Sequence, residues 1–181
     1  MSFNVPGYDT SRLSIGPGIL YIGPEGSEPT IDVGAVRSGM TIVTTREKVD
    51  IYQGIPRSLI ETYTVQETGT ISINGLEWNI DRLAEALGAG SISSDASNKI
   101  FEFGGEITFS KVALKFVHTK PNNKTLTFKL WRGRGSGEFT FTFGDDPHEF
   151  PYVFDMLLAA TDWDSNPLAI GKQLYKIEEQ I

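Results

Sequence analysis

The stretch from Leu59 to Asn74 constrains this chain more than any other. Every even position from Thr62 onward is polar and uncharged: Thr62, Thr64, Gln66, Thr68, Thr70, Ser72 and Asn74. The odd positions are mostly apolar (Leu59, Tyr63, Val65, Ile71, Ile73), interrupted by Glu61, Glu67 and Gly69. Alternation with period two is the signature of a β-strand, because successive side chains point to opposite faces. At about 3.3 Å per residue this strand spans roughly 50 Å. A chain of 181 residues folded into one domain has a diameter of only about 40 Å. The strand is therefore expected to extend beyond a compact body, and Gly69 to mark a bulge or bend where it changes face or sheet.

The segment before it, Met40 to Tyr52, also reads as a strand, and Gly54 and Pro56 break regular structure between the two. The pair predicts an extended hairpin whose inter-strand loop covers Asp50, Ile51, Tyr52, Gln53, Gly54, Ile55, Pro56, Arg57 and Ser58. Other strands follow from the same pattern. Gly18–Gly23 is a short strand between Pro-Gly turns. Val112, Leu114 and Phe116 alternate up to a turn at Lys120–Lys124, and Leu126, Phe128 and Leu130 alternate after it. Phe139, Phe141 and Phe143 share one parity, and Phe150, Tyr152, Phe154, Met156 and Leu158 share another. Pro151 has no amide to donate, so its strand begins at a sheet edge or after a bulge. Lys172–Gln180 reads as a closing strand, and Gly88–Lys99 as a polar loop.

The one expected helix runs over Asn74–Leu87. Asn74 and Glu77 offer a capping pair. Leu76, Ile80, Leu83, Ala84 and Leu87 share a face, and Gly88 supplies a left-handed stop. The resulting fold class is mainly β: a sandwich or barrel with one flanking α-helix and a long inter-strand loop, as a single domain over 1–181 with an N-terminal arm at 1–15.

Composition narrows the chemistry. Cysteine is absent, which excludes disulfides, zinc–thiolate sites and a cysteine nucleophile. The two histidines, His118 and His148, are too few for a histidine-built metal centre. No apolar run reaches the ~18 residues of a membrane helix, so no membrane insertion is expected. No secretory signal is recognised in the first residues, which leads to an expectation of cytosolic synthesis. Gly133–Gly137 lacks the lysine–hydroxyl ending and strand–turn–helix setting of a phosphate loop. Asp145, Asp146, His148 and Glu149 cluster in one loop, where surface chemistry explains them better than a metal site. Thr161–Asn166 lacks the glycine and terminal glutamate of a calcium loop. His118 falls on the apolar parity of its strand, as a core or interface histidine would. Neither an enzyme nor a cofactor is indicated.

The net charge of −7 is unevenly spread: residues 1–98 carry −6, residues 99–137 carry +6 and residues 138–181 carry −7. Strands that fold these blocks together would intermix the charges. The alternative is that acidic and basic surfaces lie apart and meet between copies.

The order of elements resembles the major tail tube proteins of long-tailed phages and the related gene transfer agents. The residues that carry the resemblance are "GPGILYIGPEG" leading to "IDVGAV", then "VDIYQGIP", then "ETGTISINGLEWNIDRLAEALGAG", and finally "HEFPYVFDML" with "LYKIEEQ". Together they span about residues 13–178. The resemblance implies a virion structural protein located in the tail. Such subunits self-assemble into hexameric rings that stack into a hollow conduit, through which double-stranded DNA passes without specific binding. It also implies tape measure, terminator and tip proteins as partners, no catalytic residues, and an inter-strand loop that reaches a neighbouring subunit or ring. On this view Glu47, Asp50, Glu61 and Glu67 are candidate lumen-facing acids, or else ordinary surface charges. The uncharged Thr/Gln face is an alternative lining. Trp78, Arg132 and Arg134 are candidate interface residues. The tube protein of a type VI secretion or other contractile injection system is an alternative function. From another class, a monomeric carbohydrate-binding β-sandwich would use Trp78, Trp131 and Trp163 as platforms.

Overall fold

A computed structural model describes residues 16, 18–36, 39–77, 79–137, 140 and 149–181. Among the described residues ten strands and one short helix follow one another as β1 (Ile19–Pro24), β2 (Ile31–Asp32), β3 (Thr41–Gln53), β4 (Ser58–Gly75), α1 (Leu83–Leu87), β5 (Ser91–Ser94), β6 (Lys99–Glu102), β7 (Lys111–Thr119), β8 (Thr125–Gly135), β9 (Phe150–Met156) and β10 (Tyr175–Glu179). The fold is mainly β and antiparallel, as the alternation predicts. Its main sheet runs β2-β1-β7-β8-β9-β4-β3, with β10 also paired to β8.

Strand β8 makes this sheet a two-layered body. Its first half, Leu126–Leu130, pairs with β10, whereas Gly133–Gly135 pairs with β9. Between them, Trp131 and Arg132 oppose the single residue Ala113 of β7. The extra residue is a bulge, and bulges bend a strand and let it pass from one layer to the other. Burial records the switch. Phe128 and Leu130 are buried on even parity before the bulge; Trp131, Gly133 and Gly135 are buried on odd parity after it. The main core then fills from both layers, with Leu20, Ile22, Leu114, Leu130, Ile71, Ile73, Phe150, Tyr152 and Phe154 at its centre. Trp131 is turned into a satellite cluster with Ala113, Ala159 and Trp163.

Several sequence expectations are corrected. The strand of Phe150 ends at Met156, and Leu158 is exposed. Pro151, by contrast, sits as expected where one edge of β9 is open, with β4 as its partner strand and pairing to β8 beginning only at Phe154. Ser91–Ser94, expected in a polar loop, is a strand paired with β6. The turn between them forms because the Asp95 carboxylate accepts the amides of Ser97 (2.8 Å) and Asn98 (2.7 Å). Those hydrogen bonds hold Asp95 below the ordinary aspartate pKa, Ser97 contributing most.

The helix is much shorter than its apolar spacing implies. A 3-10 turn at Ile80–Arg82, capped by the Asn79 side chain on the Asp81 amide, leads into the five-residue α1, which Gly88 stops at φ 72° as expected. Asn74 does not cap a helix because β4 continues through Gly75; its carboxamide donates to Glu149 at 2.8 Å. Glu77 instead accepts the Ala35 amide at 3.1 Å.

The three charge blocks neutralise one another within one copy. Six of the eight bases of 99–137 pair with acids from the flanking blocks: Lys99–Asp81, Lys115–Glu28, Lys120–Glu179, Lys129–Glu178, Arg132–Glu25 and Arg134–Asp155. The charges are intermixed, and the sequence-level polarity does not become an acidic and a basic side.

Candidate functional site

Beyond Gly69, β3 and β4 leave the body as a ribbon with no third strand among the described residues. The eleven residues of β4 from Ser58 to Thr68 are all exposed, while Gly69, Ile71, Ile73 and Gly75 are buried. Strand β9 supports β4 from Thr70 to Gly75 only. Gly69 is therefore the point where the ribbon departs, and it pairs with Thr44 without any bulge. Its missing side chain has a packing cause: a Cβ there would lie 2.5 Å from Met156 Sδ.

The bulges lie elsewhere. Gln66 and Thr64 oppose consecutive residues Glu47 and Lys48, and Glu61 and Leu59 oppose Ile51 and Tyr52, so Val65 and Ile60 are the extra residues. A single extra residue exchanges the faces of a strand. The threonine row is consequently split. Gln66, Thr68, Thr70 and Ser72 lie on the outer face of the sheet, while Thr62 and Thr64 lie on the face that continues the core side. Periodicity does not reveal the bulge at Val65, because the sequence alternates evenly through it; at Ile60 the adjacent apolar pair Leu59-Ile60 is the one mark.

The same register sorts the candidate acids into two pairs. Glu47 opposes Gln66, and Glu61 opposes Ile51, which places both on the outer face. With them on the ribbon stand Thr45, Val49, Tyr63 and Thr68, and no basic residue among the described residues of β3 and β4 on that face; Arg134 stands on the same side of the sheet two strands away, in the row of Thr70. Asp50 and Glu67 lie on the core-side face, where both are engaged. Glu67 pairs with Arg46 at 2.7 Å, and Asp50 accepts the Thr62 hydroxyl at 2.7 Å and the Tyr52 hydroxyl at 3.4 Å. The four acids do not form one surface.

The expected loop 50–58 is mostly strand. Asp50–Gln53 belongs to β3 and Ser58 to β4, leaving Gly54, Ile55, Pro56 and Arg57 as the tip. Gly54 has φ 97°, a conformation that glycine adopts without steric cost, and the Ile55–Pro56 bond is cis. Ile55 is fully exposed, and Val49, Ile51, Tyr52, Leu59, Ile60, Tyr63 and Val65 are each about half exposed or more.

Beside the ribbon's base runs a trough. One cavity of about 500 Å³ is lined by Thr44, Arg46, Glu67, Leu158, Ile170 and Leu174 among others. A second, of about 360 Å³, is lined by Thr64, Val65, Gln66, Glu67, Leu158 and Leu174. Leu158 and Leu174 are thus an apolar floor under the edge of β4 that β9 does not reach.

The other candidates are accounted for individually. Arg132 is held by Glu25 at 2.8 Å and donates to the Leu158 carbonyl at 3.2 Å. Arg134 pairs with Asp155 at 3.2 Å and lies 5.0 Å over the Phe109 ring. Trp131 and Trp163 pack edge to face at 5.1 Å in the satellite core and are buried, so neither presents a platform. His118 is buried, on the same face as Leu114 and Phe116. Trp78, Asp145, Asp146, His148, Phe139, Phe141, Phe143 and the arm 1–15 lie outside the described residues. Among the described residues no cluster of His, Asp and Glu could hold a metal ion, and no helix is long and apolar enough to cross a membrane.

One surface escaped the sequence reading. Phe103, Ile107 and Phe109 are exposed at 61%, 94% and 47% on the segment that follows β6. The apolar content of "IFEFGGEITF" was its only signal, and a Gly-Gly pair within it obscures any period.

Comparison with protein-family models finds no match, and comparison with curated proteins finds none either.

Proposed function

We infer that the chain is a self-assembling tube subunit of the phage tail type, and that the ribbon is its assembly element. One observation carries this reading: among the described residues, β3 has no partner along its outer edge, and β4 has none from Ser58 to Gly69 on the side away from β3. Isolated two-stranded ribbons are marginal in water, and long exposed edges are templates for pairing. A monomer gains nothing from about eight exposed large apolar side chains on such a ribbon.

Both edges are used at once when β3 of one copy adds to β4 of the next. The contact is heterologous, so it closes into a ring when the rotation permits. The trough floored by Leu158 and Leu174 receives the added strand, and the main-chain hydrogen bonds supply affinity while the floor supplies register. Joined ribbons form a continuous barrel in hexameric rings that stack into a hollow conduit for DNA. The outer face of the ribbon, with Glu47, Glu61, Thr45, Gln66 and Thr68 and no base among the described residues of β3 and β4, suits its lumen. Hydroxyls and amides keep it wet, and carboxylates repel phosphate, so DNA passes without adhering.

Electron microscopy of the concentrated protein tests this reading. Hollow tubes with a channel wide enough for duplex DNA are expected. A protein that stays monomeric at every concentration overturns it.

A further inference from the structure

We propose that β10 is an acid-released latch: protonation of Glu28 and Glu178 leaves three opposed lysines on the outward face, and their repulsion opens β10 from β8 while the remaining strands stay paired. Such a latch operates in a single copy, whatever the copies assemble into.

The device lies in one row of side chains. Lys115 of β7, Lys129 of β8 and Lys176 of β10 are direct cross-strand neighbours, and opposed side chains have Cβ atoms about 5 Å apart. They share the outward face, since Phe116, Phe128 and Leu130 beside them point into the core. Like charges placed in this way are unfavourable. Two carboxylates offset them. Glu28 meets Lys115 at 2.8 Å, and Glu178 serves the other two, at 2.8 Å from Lys129 and 2.6 Å from Lys176. Aromatic rings keep the inner pair in line: Lys115 Nζ stands 4.9 Å over Tyr21 and Lys129 Nζ 5.5 Å over Trp163. Their side chains are only 20% and 23% exposed, so water screens their mutual repulsion incompletely.

The other charges around the row are few. Asp32 ends it beyond Tyr21, where its carboxylate accepts the Gly34 amide. Asp162 meets the charge of Lys176, and it is held below the ordinary aspartate pKa mainly by the Asn166 side chain. Glu28 is held below the ordinary glutamate value of 4.5 by its hydrogen bond from Lys115, then by the charges of Lys115 and Lys129. Hydrogen bonds from Lys129 and Lys176 do the same for Glu178. A carboxylate with a depressed folded pKa contributes in full above the unfolded value and stops contributing as pH falls through the folded one. The row is therefore balanced at neutral pH and loses its balance below about pH 4.5.

Strand β10 is the one that gives way. It has five residues and, among the described residues, β8 is its sole partner strand, whereas β7 is paired on both edges, to β1 and β8. Its other charged tie, Lys120 with Glu179, also uses a carboxylate. Apart from the ladder and the Gln180 contacts to Thr125, what then holds it is Tyr175 against the Phe128 ring at 5.3 Å and the half-exposed Ile177. Short edge elements open locally at lower free energy than the core. Opening uncovers Phe128 and the edge of β8 from Leu126 to Leu130. It also takes Ile177 from the wall of a cavity of about 230 Å³ shared with Met40, Ile42 and Phe116. Acid thus converts a covered strand edge into one free for pairing.

Hydrogen exchange read by mass spectrometry on the full chain, corrected for intrinsic rates at each pH, tests the latch. Between about pH 6 and about pH 3.5, protection of peptides covering 174–180 is expected to fall about fivefold, while peptides covering 112–118 and 150–156 keep theirs. Glu178→Gln should show the loss already at neutral pH. Lys176→Gln, a change at an exposed position, should remove most of the acid effect, and added salt should reduce it in the unmodified protein by screening the repulsion. The latch is overturned if β10 keeps its protection in acid, or if β9 loses protection together with β10. It is equally overturned if Glu178→Gln leaves β10 protected at neutral pH, if Lys176→Gln leaves the acid effect unchanged, or if salt deepens it.

Discussion

The two halves of β4 make an instructive pair. Residues 69–75 and residues 58–68 are one continuous strand, paired to β3 from Ser58 to Ser72, with the same alternation of apolar and polar side chains. In the first half, β9 lies on the second edge, and Ile71 and Ile73 are buried against Phe154 and Tyr152. In the second half no strand among the described residues takes that edge, and Tyr63 and Val65 are left exposed. The difference is not in propensity or pattern but in whether a third strand is present. A third strand with a core beneath it makes a sheet independently stable, and two strands alone do not. The ribbon thus has the sequence of a sheet interior and waits for a neighbour to complete it.

The comparison is most readily broken in the body. Phe154 is fully buried between the layers, and truncating a buried phenylalanine costs about 3–5 kcal/mol. Phe154→Ala is therefore expected to lower the urea midpoint severely, and assembly with it. A variant that melted like the unmodified protein would mean that the core is not where the paired strands place it.

The boundary offers a smaller effect. Any side chain at Gly69 meets Met156, whose Sδ would be 2.5 Å from the new Cβ. Gly69→Val is expected to destabilise by about 1–3 kcal/mol through overpacking, and Met156→Ala in the same chain should recover part of that loss. Additive losses in the double variant would show that the two positions do not touch.

Much of this architecture is legible in the residues, and the failures have physical causes. Strands β1, β3, β7, β8 and β9 and the stop at Gly88 follow from period-two alternation and from glycine's access to positive φ. The helix is overread because Leu76 and Ile80 match a helical face while Leu76 is in fact exposed at the end of β4. The capping reading of Asn74 and Glu77 fails because each side chain finds a partner distant in sequence, Glu149 and the Ala35 amide. At the ribbon, the length of β4 announces that it leaves the body. The distribution of acids over faces is hidden by the bulge at Val65, which leaves no mark in alternation, while the one at Ile60 shows only as the apolar pair Leu59-Ile60. Gly69 shows the reverse case: it draws attention as a breaker, yet its role is to make room for Met156.

Acid sensitivity separates a third region, the edge strand β10, from both halves of β4. Hydrogen bonds from Lys129 and then Lys176 hold Glu178 below the ordinary glutamate pKa of 4.5, and Lys120 pairs with Glu179. A carboxylate whose folded pKa is depressed contributes stability in full above its unfolded pKa, and loses it as pH falls through the folded value. Stability from this source is thus expected to be flat at neutral pH and to decline below about pH 4.5. Because the Glu178 side chain is still 39% exposed, the effect is at most a few tenths of a kcal/mol to about 1 kcal/mol. Glu178→Gln should flatten the acid limb of a plot of urea midpoint against pH. A variant that kept the same acid limb would assign the decline to other carboxylates.

The smallest change in folding stability is expected from the ribbon, and it is the most informative. Val49 opposes Tyr63 on the outer face, and each is at least half exposed in one copy. Substitutions at exposed sites away from the core stay within about 0.5 kcal/mol, so Val49→Lys and Tyr63→Lys should leave the thermal midpoint of the monomer almost unchanged. On the tube reading each change repeats one new positive charge around a narrow ring and offsets the Glu47 and Glu61 carboxylates of that face. The charge that repels phosphate is then lost, so the tubes that form should retain polyanions at low salt that the unmodified lumen releases, and give them up as salt screens the attraction. Sedimentation of assembled material across a salt series measures both. Equal loss of monomer stability and assembly would show instead that the ribbon is part of the folded core, and erase the distinction between the two halves of β4.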